Sequence, residues 1–237
     1  MKDGVLTFVG DGKLNVNAKI GLYATGASEK LGITIAEEVA VDLKGGQGIY
    51  VLSSDLASNP TFELKDKATV NALTTSVPLW VQGAIYQDPT EGWKMSDTAS
   101  LILTSSGTST FNRDGNNTTV LVEKATNINV TVKNGTYNMK GLVGPRGDNA
   151  VLKLVGIDNN KAKLTLVIDD ATLNLEAKPT DVGDKTYVSA IRLIGTDEST
   201  MTLNNGAVVN ITAAYDNEDI GVYGINLNTE KCVITVD

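Results

Sequence analysis

Histidine is absent from these 237 residues, which removes the side chain most often used for proton transfer near neutral pH and for holding transition metals. Cysteine occurs once, at Cys232, so an internal disulfide and a Cys-x-x-Cys metal site are both excluded. Aromatic residues make up only 5%. A core must therefore be aliphatic, which suits thin strands stacked in layers better than a sandwich built around large rings. No window approaches the roughly 18 consecutive apolar residues of a membrane-spanning helix, and the start, MKDGVLTFVG, has no basic-then-apolar leader. Positive charge is short too: 20 Lys and Arg face 28 Asp and Glu, for a net charge of -8. Nucleic acid, which demands basic patches, and insertion into membranes are not expected of this chain.

What the sequence has is repetition. Met201 to Thr212 reads MTLNNGAVVNIT, and edited copies of it recur: TLVIDDATLNL from Thr165, TVKNGTYNM from Thr131, ELKDKATVNA from Glu63 and TFVGDGKLNV from Thr7. Each is a short alternating run, a turn of Asp, Asn, Gly or Lys, and a second alternating run carrying a polar residue, usually Asn, between apolar neighbours. Aligned on that residue, Asn15, Asp42, Asn71, Asn112, Asn138, Asn174 and Asn210 fall in one column, with gaps of 27, 29, 41, 26, 36 and 36 residues. Period-two alternation enriched in Val, Ile, Leu and Thr, punctuated by Gly, Asn and Asp, is the mark of half-buried strands.

Seven copies of three strands are expected, plus Cys232 to Asp237 as the first strand of an eighth. The third copy, for example, is read as TFEL, ATVNAL and GAIYQ. Three short strands cannot bury an apolar face alone, so the copies must stack on one another. The expected fold is an all-β parallel β-helix (β-solenoid) of about seven three-strand rungs with corner inserts, one domain over residues 1–237, cut from a longer protein. Pairs such as Leu173 and Leu175, or Val209 and Ile211, would point inward. The amides between them would point outward and either form a hydrogen-bonded ladder at the strand spacing or merely ease the nearby bend. The fourth copy breaks the pattern: parity after Phe111 turns Arg113 inward, so the strand is expected to end or bulge there rather than bury a charge.

Candidate sites fall on the inserts, since variable loops on a constant scaffold are where binding resides. The inserts are read as Thr74–Gly83, Gly141–Asn149 and Ala177–Val188 within copies, and Ser53–Pro60 and Gln87–Ala99 between copies. Arg146, Gly147 and Asp148 form an RGD tripeptide on one corner, which is either an integrin-type recognition triplet or ordinary turn chemistry. Trp80 and Trp93, both placed in inserts of the third copy, are stacking platforms for a sugar ring or anchors for a protein, unless they fold back over apolar corner surface. Between Glu176 and Glu230 nine acidic residues, among them Asp181, Asp184, Asp216, Glu218 and Asp219, face three basic ones. They suit a cationic partner, or serve only solubility. No calcium-loop spacing accompanies them, and neither a metal nor a cofactor is expected. Paired carboxylates of the kind glycosidases use are not evident, because Asp169 and Asp170 are adjacent in a turn; no catalytic residues are assigned.

The strings KIGLYATGASEKLGITIAEEVAVDL and GQGIYVLSS, with ATLNLEA and NNGAVVNITAA, resemble the passenger repeats of large type V autotransporter adhesins of oral anaerobic bacteria. The resemblance spans essentially the whole chain. It implies a right-handed, pectin-lyase-like β-helix, carried to the outer membrane and cell surface by a separate C-terminal barrel. It also implies a monomer that attaches to a protein or glycan receptor on host cells or other bacteria, in adhesion, coaggregation and virulence. No binding residues carry over. A polysaccharide-binding or polysaccharide-cleaving protein is the rival expectation, and a passive stalk the third.

Overall fold

The chain returns to the same three positions again and again. The structure, a computed structural model, describes residues 3–143, 149–157, 162–179, 187–195, 197–213 and 221–237. Circuit one is β1 (Asp3–Phe8) and β2 (Lys13–Gly26); circuit two is β3 (Lys30–Ile35) and β4 (Ala40–Ser53). Circuit three is β5 (Thr61–Leu64), β6 (Thr69–Thr74) and β7 (Leu79–Gln82), followed by β8 (Ile85–Asp88). Circuit four is β9 (Gly92–Leu103), β10 (Thr108–Asn116) and β11 (Val120–Glu123); circuit five is β12 (Ala125–Lys133), β13 (Thr136–Val143) and β14 (Ala150–Val155). Circuit six is β15 (Lys163–Asp169), β16 (Thr172–Pro179) and β17 (Tyr187–Ile194); circuit seven is β18 (Glu198–Asn204), β19 (Val208–Ala213) and β20 (Gly221–Asn228), and β21 (Lys231–Val236) follows.

The first strands of the circuits pair in the order β1-β3-β5-β9-β12-β15-β18-β21. The second and third strands make one twelve-stranded sheet, because in circuits one and two they are continuous as β2 and β4. Every pairing among the described residues is parallel except β8 with β9. The result is all-β, with parallel sheets in a nearly closed, barrel-like arrangement.

Alternation decides what fills the interior. Leu6, Ile33, Phe62, Leu101, Val130, Leu166, Met201 and Ile234 stand in register along the first sheet. Val16, Leu43, Ala72, Phe111, Met139, Leu175 and Ile211 do so along the second-strand column. Leu22, Ile49, Leu79, Val120, Leu152, Ile191 and Ile225 line up on the third. Most of these side chains belong to one hydrophobic cluster. Large and small residues offset each other within a column, as where Ala72 lies beside Phe111, keeping the density native cores require.

The tight turns between first and second strands also stack. Glu37, Asp66, Asn134, Asp170 and Asn205 all have left-handed φ of 48–60°, which explains why short Asp and Asn dominate there. Successive turns hydrogen-bond through their backbones, as from Lys67 N to Glu37 O at 2.8 Å and from Asp170 N to Asn204 O at 3.2 Å. Tyr137 closes one such corner from inside: its ring is fully buried and its hydroxyl donates to Ser105 O at 2.8 Å. In the opposite corner of circuit two, Gly45 has φ 133° and a Cβ there would collide with Ala18 O, so only glycine lets β4 bend.

Four sequence expectations need correction. The third strand of circuit three is Leu79–Gln82 (LWVQ), not GAIYQ; Leu79 and Val81 are buried while Trp80 and Gln82 alternate outward. Pro78 before it hid the strand. The segment read as a loop from Gln87 to Ala99 is instead an antiparallel β8–β9 hairpin running into circuit four. Asn112 is not in the amide column: β10 places Thr110 opposite Asn71 and Asn138, with Asn112 opposite Leu73 and Lys140. The inward pair around that column is Ser109 and Phe111, and a serine in an apolar slot broke the pattern. Its hydroxyl accepts from Val70 N at 3.0 Å.

Arg113 is the fourth. A bulge does follow it, since the β10–β13 register shifts between Arg113 and Asn116, yet the side chain is itself buried at 9% exposure. Nη1 donates to Thr118 O at 3.0 Å, while Nε has no hydrogen-bond partner. Burial pulls the guanidinium down to about 10, opposed by the nearby Tyr50 hydroxyl, so it still carries its charge at neutral pH.

Candidate functional site

Among the described residues two surfaces combine exposure with shaped concavity, and each is built by strand alternation. The first lies on the β8–β9 hairpin. Ile85 pairs with Met95 and Gln87 with Trp93, placing these four on one face; Tyr86, Lys94 and Asp88 lie on the other. Ile85, Tyr86 and Trp93 are 39%, 54% and 42% exposed, a high proportion of apolar surface for so short an element. An open cleft of about 510 Å³ lies between this hairpin and the preceding loop, lined by Leu56, Ala57, Trp93, Lys94, Met95, Asp97 and Thr126.

The hairpin is held rigid at its tip. Asp88 Oδ1 accepts from Thr90 N at 2.9 Å, Thr90 Oγ1 at 2.7 Å and Glu91 N at 3.0 Å. The Thr90 amide, then its hydroxyl and the Glu91 amide, hold the Asp88 carboxyl well below the usual carboxylate range, with Lys94 adding a smaller pull. Lys94 Nζ bridges Glu91 at 2.7 Å and Asp88 at 3.4 Å. Pro89 and Gly92 complete the turn, and Gly92 has φ 85°.

The second surface is the outward side of the second-strand column. Asn15, Asp42, Asn71, Thr110, Asn138, Asn174 and Asn210 lie in register along it. Asn210 Nδ2 donates to Asn174 Oδ1 at 2.8 Å, and Asn174 Nδ2 to Asn138 Oδ1 at 2.8 Å. At the other end Asp42 is held below its ordinary range by Lys13 and, more weakly, by the Asn71 side chain. Two residues further along each strand, Asn112, Lys140, Glu176 and Thr212 form a parallel row. Lys140 and Glu176 form a 2.7 Å ion pair there. These two rows line an open groove of about 400 Å³.

Trp80 stands on β7 rather than in an insert. Its indole N–H donates to Glu123 Oε1 at 3.1 Å, and its ring meets Tyr50 edge-on at a centroid distance of 5.2 Å. Tyr23, Tyr50 and Trp80 are register neighbours; Tyr50 in the middle is buried, which raises its hydroxyl pKa. Trp80 and Trp93 thus belong to different surfaces. Arg146, Gly147, Asp148, Asp181, Asp184, Asp216, Glu218 and Asp219 lie outside the described residues. Asp169, last in β15, is bound by Lys133 at 2.8 Å and Asn205 at 2.6 Å. Among the described residues no group of three His, Cys, Asp or Glu is placed to hold a metal ion.

Sequence reasoning missed the row Asn112, Lys140, Glu176 and Thr212, although counting two positions beyond each column residue finds it once the register of circuit four is known. The Leu56–Met95 cleft left no such signal, because a loop and a hairpin from different circuits build it. Among the described residues no helix is long and apolar enough to cross a membrane. No family model, curated protein or solved structure matches the chain.

Proposed function

We propose that this chain is a section of a right-handed parallel β-helix whose role is attachment at a bacterial cell surface: a type V adhesin passenger, extracellular, binding a receptor on host or neighbouring bacterial cells. Parallel neighbours joined by crossovers in one order through three columns support the helix, and the strong preference of such crossovers for the right hand supports its handedness. The observation that carries the functional reading is the β8–β9 hairpin. It is the one antiparallel pairing among the described residues, is tied at its tip by Asp88, and exposes three large apolar side chains, Ile85, Tyr86 and Trp93. Apolar aromatics held exposed on a stiff element are what interface anchors look like.

The test is adhesion of the whole chain, immobilised on beads, to epithelial cells and to co-resident bacteria. Beads bearing the native chain should adhere, and Trp93→Ala with Tyr86→Ala should cut adhesion at least tenfold without shifting the melting temperature. Equal adhesion of the folded double variant would reject the hairpin as the contact, and absence of adhesion by the native chain would favour a passive stalk. The groove over the amide column favours a second reading, a polysaccharide-active protein; release of unsaturated or reducing sugar products from polysaccharide would establish it.

A further inference from the structure

We infer that the groove above the amide column is a subsite for a neutral, linear, polyhydroxylated chain, a β-linked glycan lying along the stacking axis. This rests on the attachment reading only for its biological purpose, and narrows the partner to a glycan.

A carboxamide has two N–H donors and a carbonyl oxygen with two lone pairs. In the column Asn174 spends one N–H on Asn138 and one lone pair on Asn210. That fixes the amide planes and leaves at least one donor and one acceptor on each of Asn138, Asn174 and Asn210, all three of which line the groove. Rotamers locked by neighbours are preorganised, so a ligand need not spend binding energy on ordering them. The groove floor therefore repeats a donor and acceptor pair at the strand spacing, about 4.8 Å.

The ligand must answer with groups that both donate and accept at that period or a whole multiple of it. A hydroxyl does both, and an extended β-1,4-linked chain, whose successive units are flipped, repeats its like-facing hydroxyls every two units, close to two strand spacings. An extended peptide presents its like-facing groups every two residues, about 6.8 Å, and falls out of step within three rungs. The second row fixes charge: Asn112 and Thr212 are neutral, and Lys140 and Glu176 cancel across 2.7 Å. An acidic polymer would meet Glu176 and a chain of net charge -8. Among the described residues no aromatic side chain lines the groove, so binding is expected to be weak per unit and to grow with ligand length until the rungs Asn138, Asn174 and Asn210 are covered.

The measurement is an NMR titration of the whole chain, following the side-chain amide resonances of Asn138, Asn174 and Asn210. The probes are β-1,4-linked glucose and N-acetylglucosamine oligomers from two to six units, galacturonate oligomers, and a Ser/Asn-rich peptide. Neutral oligomers should shift these three amides, with affinity rising from the disaccharide to the tetrasaccharide and then levelling. Asn174→Ala should weaken binding about tenfold, roughly the loss of one or two hydrogen bonds. Asn174→Thr, which keeps the strand preference of the site, should weaken it comparably and guards against a variant that merely misfolds. Silent amides at every oligomer length, tighter binding of galacturonate, or amide shifts with the peptide alone would each overturn the proposal. Because Trp93 and Tyr86 lie outside this groove, their double variant should still bind oligomers. Cell adhesion that persists while the amides stay silent would discard the groove and leave the attachment reading standing.

Discussion

Leu6, Ile33, Phe62, Leu101, Val130, Leu166, Met201 and Ile234 occupy the same position in eight successive strands, yet they live in two environments. The five from Ile33 to Leu166 are 0% exposed and Met201 is 2% exposed, whereas Leu6 and Ile234 at the two ends are 44% and 47% exposed. The residue types are alike and so is the backbone. What differs is the number of neighbouring rungs: a middle residue is covered from above and below, an end residue from one side. Burial here is a property of the stack rather than of the strand, as expected where each unit contacts only its neighbours.

The sharpest way to break that contrast is to remove a large side chain from the middle and a comparable position from the end. Phe62→Ala should cost about 3–5 kcal/mol, since a fully buried ring leaves a cavity that strands pinned on both sides cannot close. Val209→Ala, in the partly covered second-strand column of circuit seven, should cost about 1 kcal/mol. Chemical denaturation of the two variants measures the difference; equal losses would mean that the ends are as tightly packed as the middle.

A smaller effect is expected at Tyr137. Tyr137→Phe keeps the packing but leaves the carbonyls of Ser105 and Lys133 short of a donor, at a cost of about 1–2 kcal/mol. Smaller still is the amide column: Asn174→Ala breaks two ladder hydrogen bonds and should cost about 1 kcal/mol, while Asn210→Ala breaks one and should cost about half of that. Melting temperatures of these three variants should rank in that order.

The pH dependence comes from carboxylates along the turns and the ladder. Asp42 is depressed chiefly by the hydrogen bond from Lys13, and Asp169 by those from Lys133 and then Asn205. A depressed carboxyl contributes stability that is complete above its unfolded value, about 3.9, and is lost as pH falls through the folded one. The melting temperature should therefore be flat from pH 7 to about 5 and fall below about 4. Asp169→Asn should make that acid limb shallower by lowering the melting temperature at pH 7, with the two proteins converging as the pH falls below about 4.

How much of this could be read from the sequence follows from the same physics. Circuits five to seven were legible because their column residues recur every 36 positions with apolar residues on both sides. Circuit four was not: Ser109 takes an inward slot and bonds the Val70 backbone amide, so the apolar–Asn–apolar pattern matched two residues too late, at Asn112. Circuit three misled because GAIYQ looks like GIYVL of circuit two, whereas the chain spends Leu79–Gln82 on the third column and folds GAIYQ into a hairpin. Arg113 shows the limit of a rule against buried charge: a corner carbonyl from Thr118 was enough to receive part of the guanidinium. The groove could not be read at all without the register of circuit four, since its second row is defined only relative to the first.

The circuits lie one upon another, so that residues far apart in sequence sit a few strand spacings apart. Spin labels on Asn71→Cys and Asn210→Cys, in a chain with Cys232→Ser, test this directly. Both positions are exposed, point outward and lie four rungs apart in one column, so dipolar spectroscopy should give a narrow distribution near four strand spacings, about 19 Å plus the label arms. A broad distribution, or one centred beyond about twice that distance, would contradict the stack and the groove built on it.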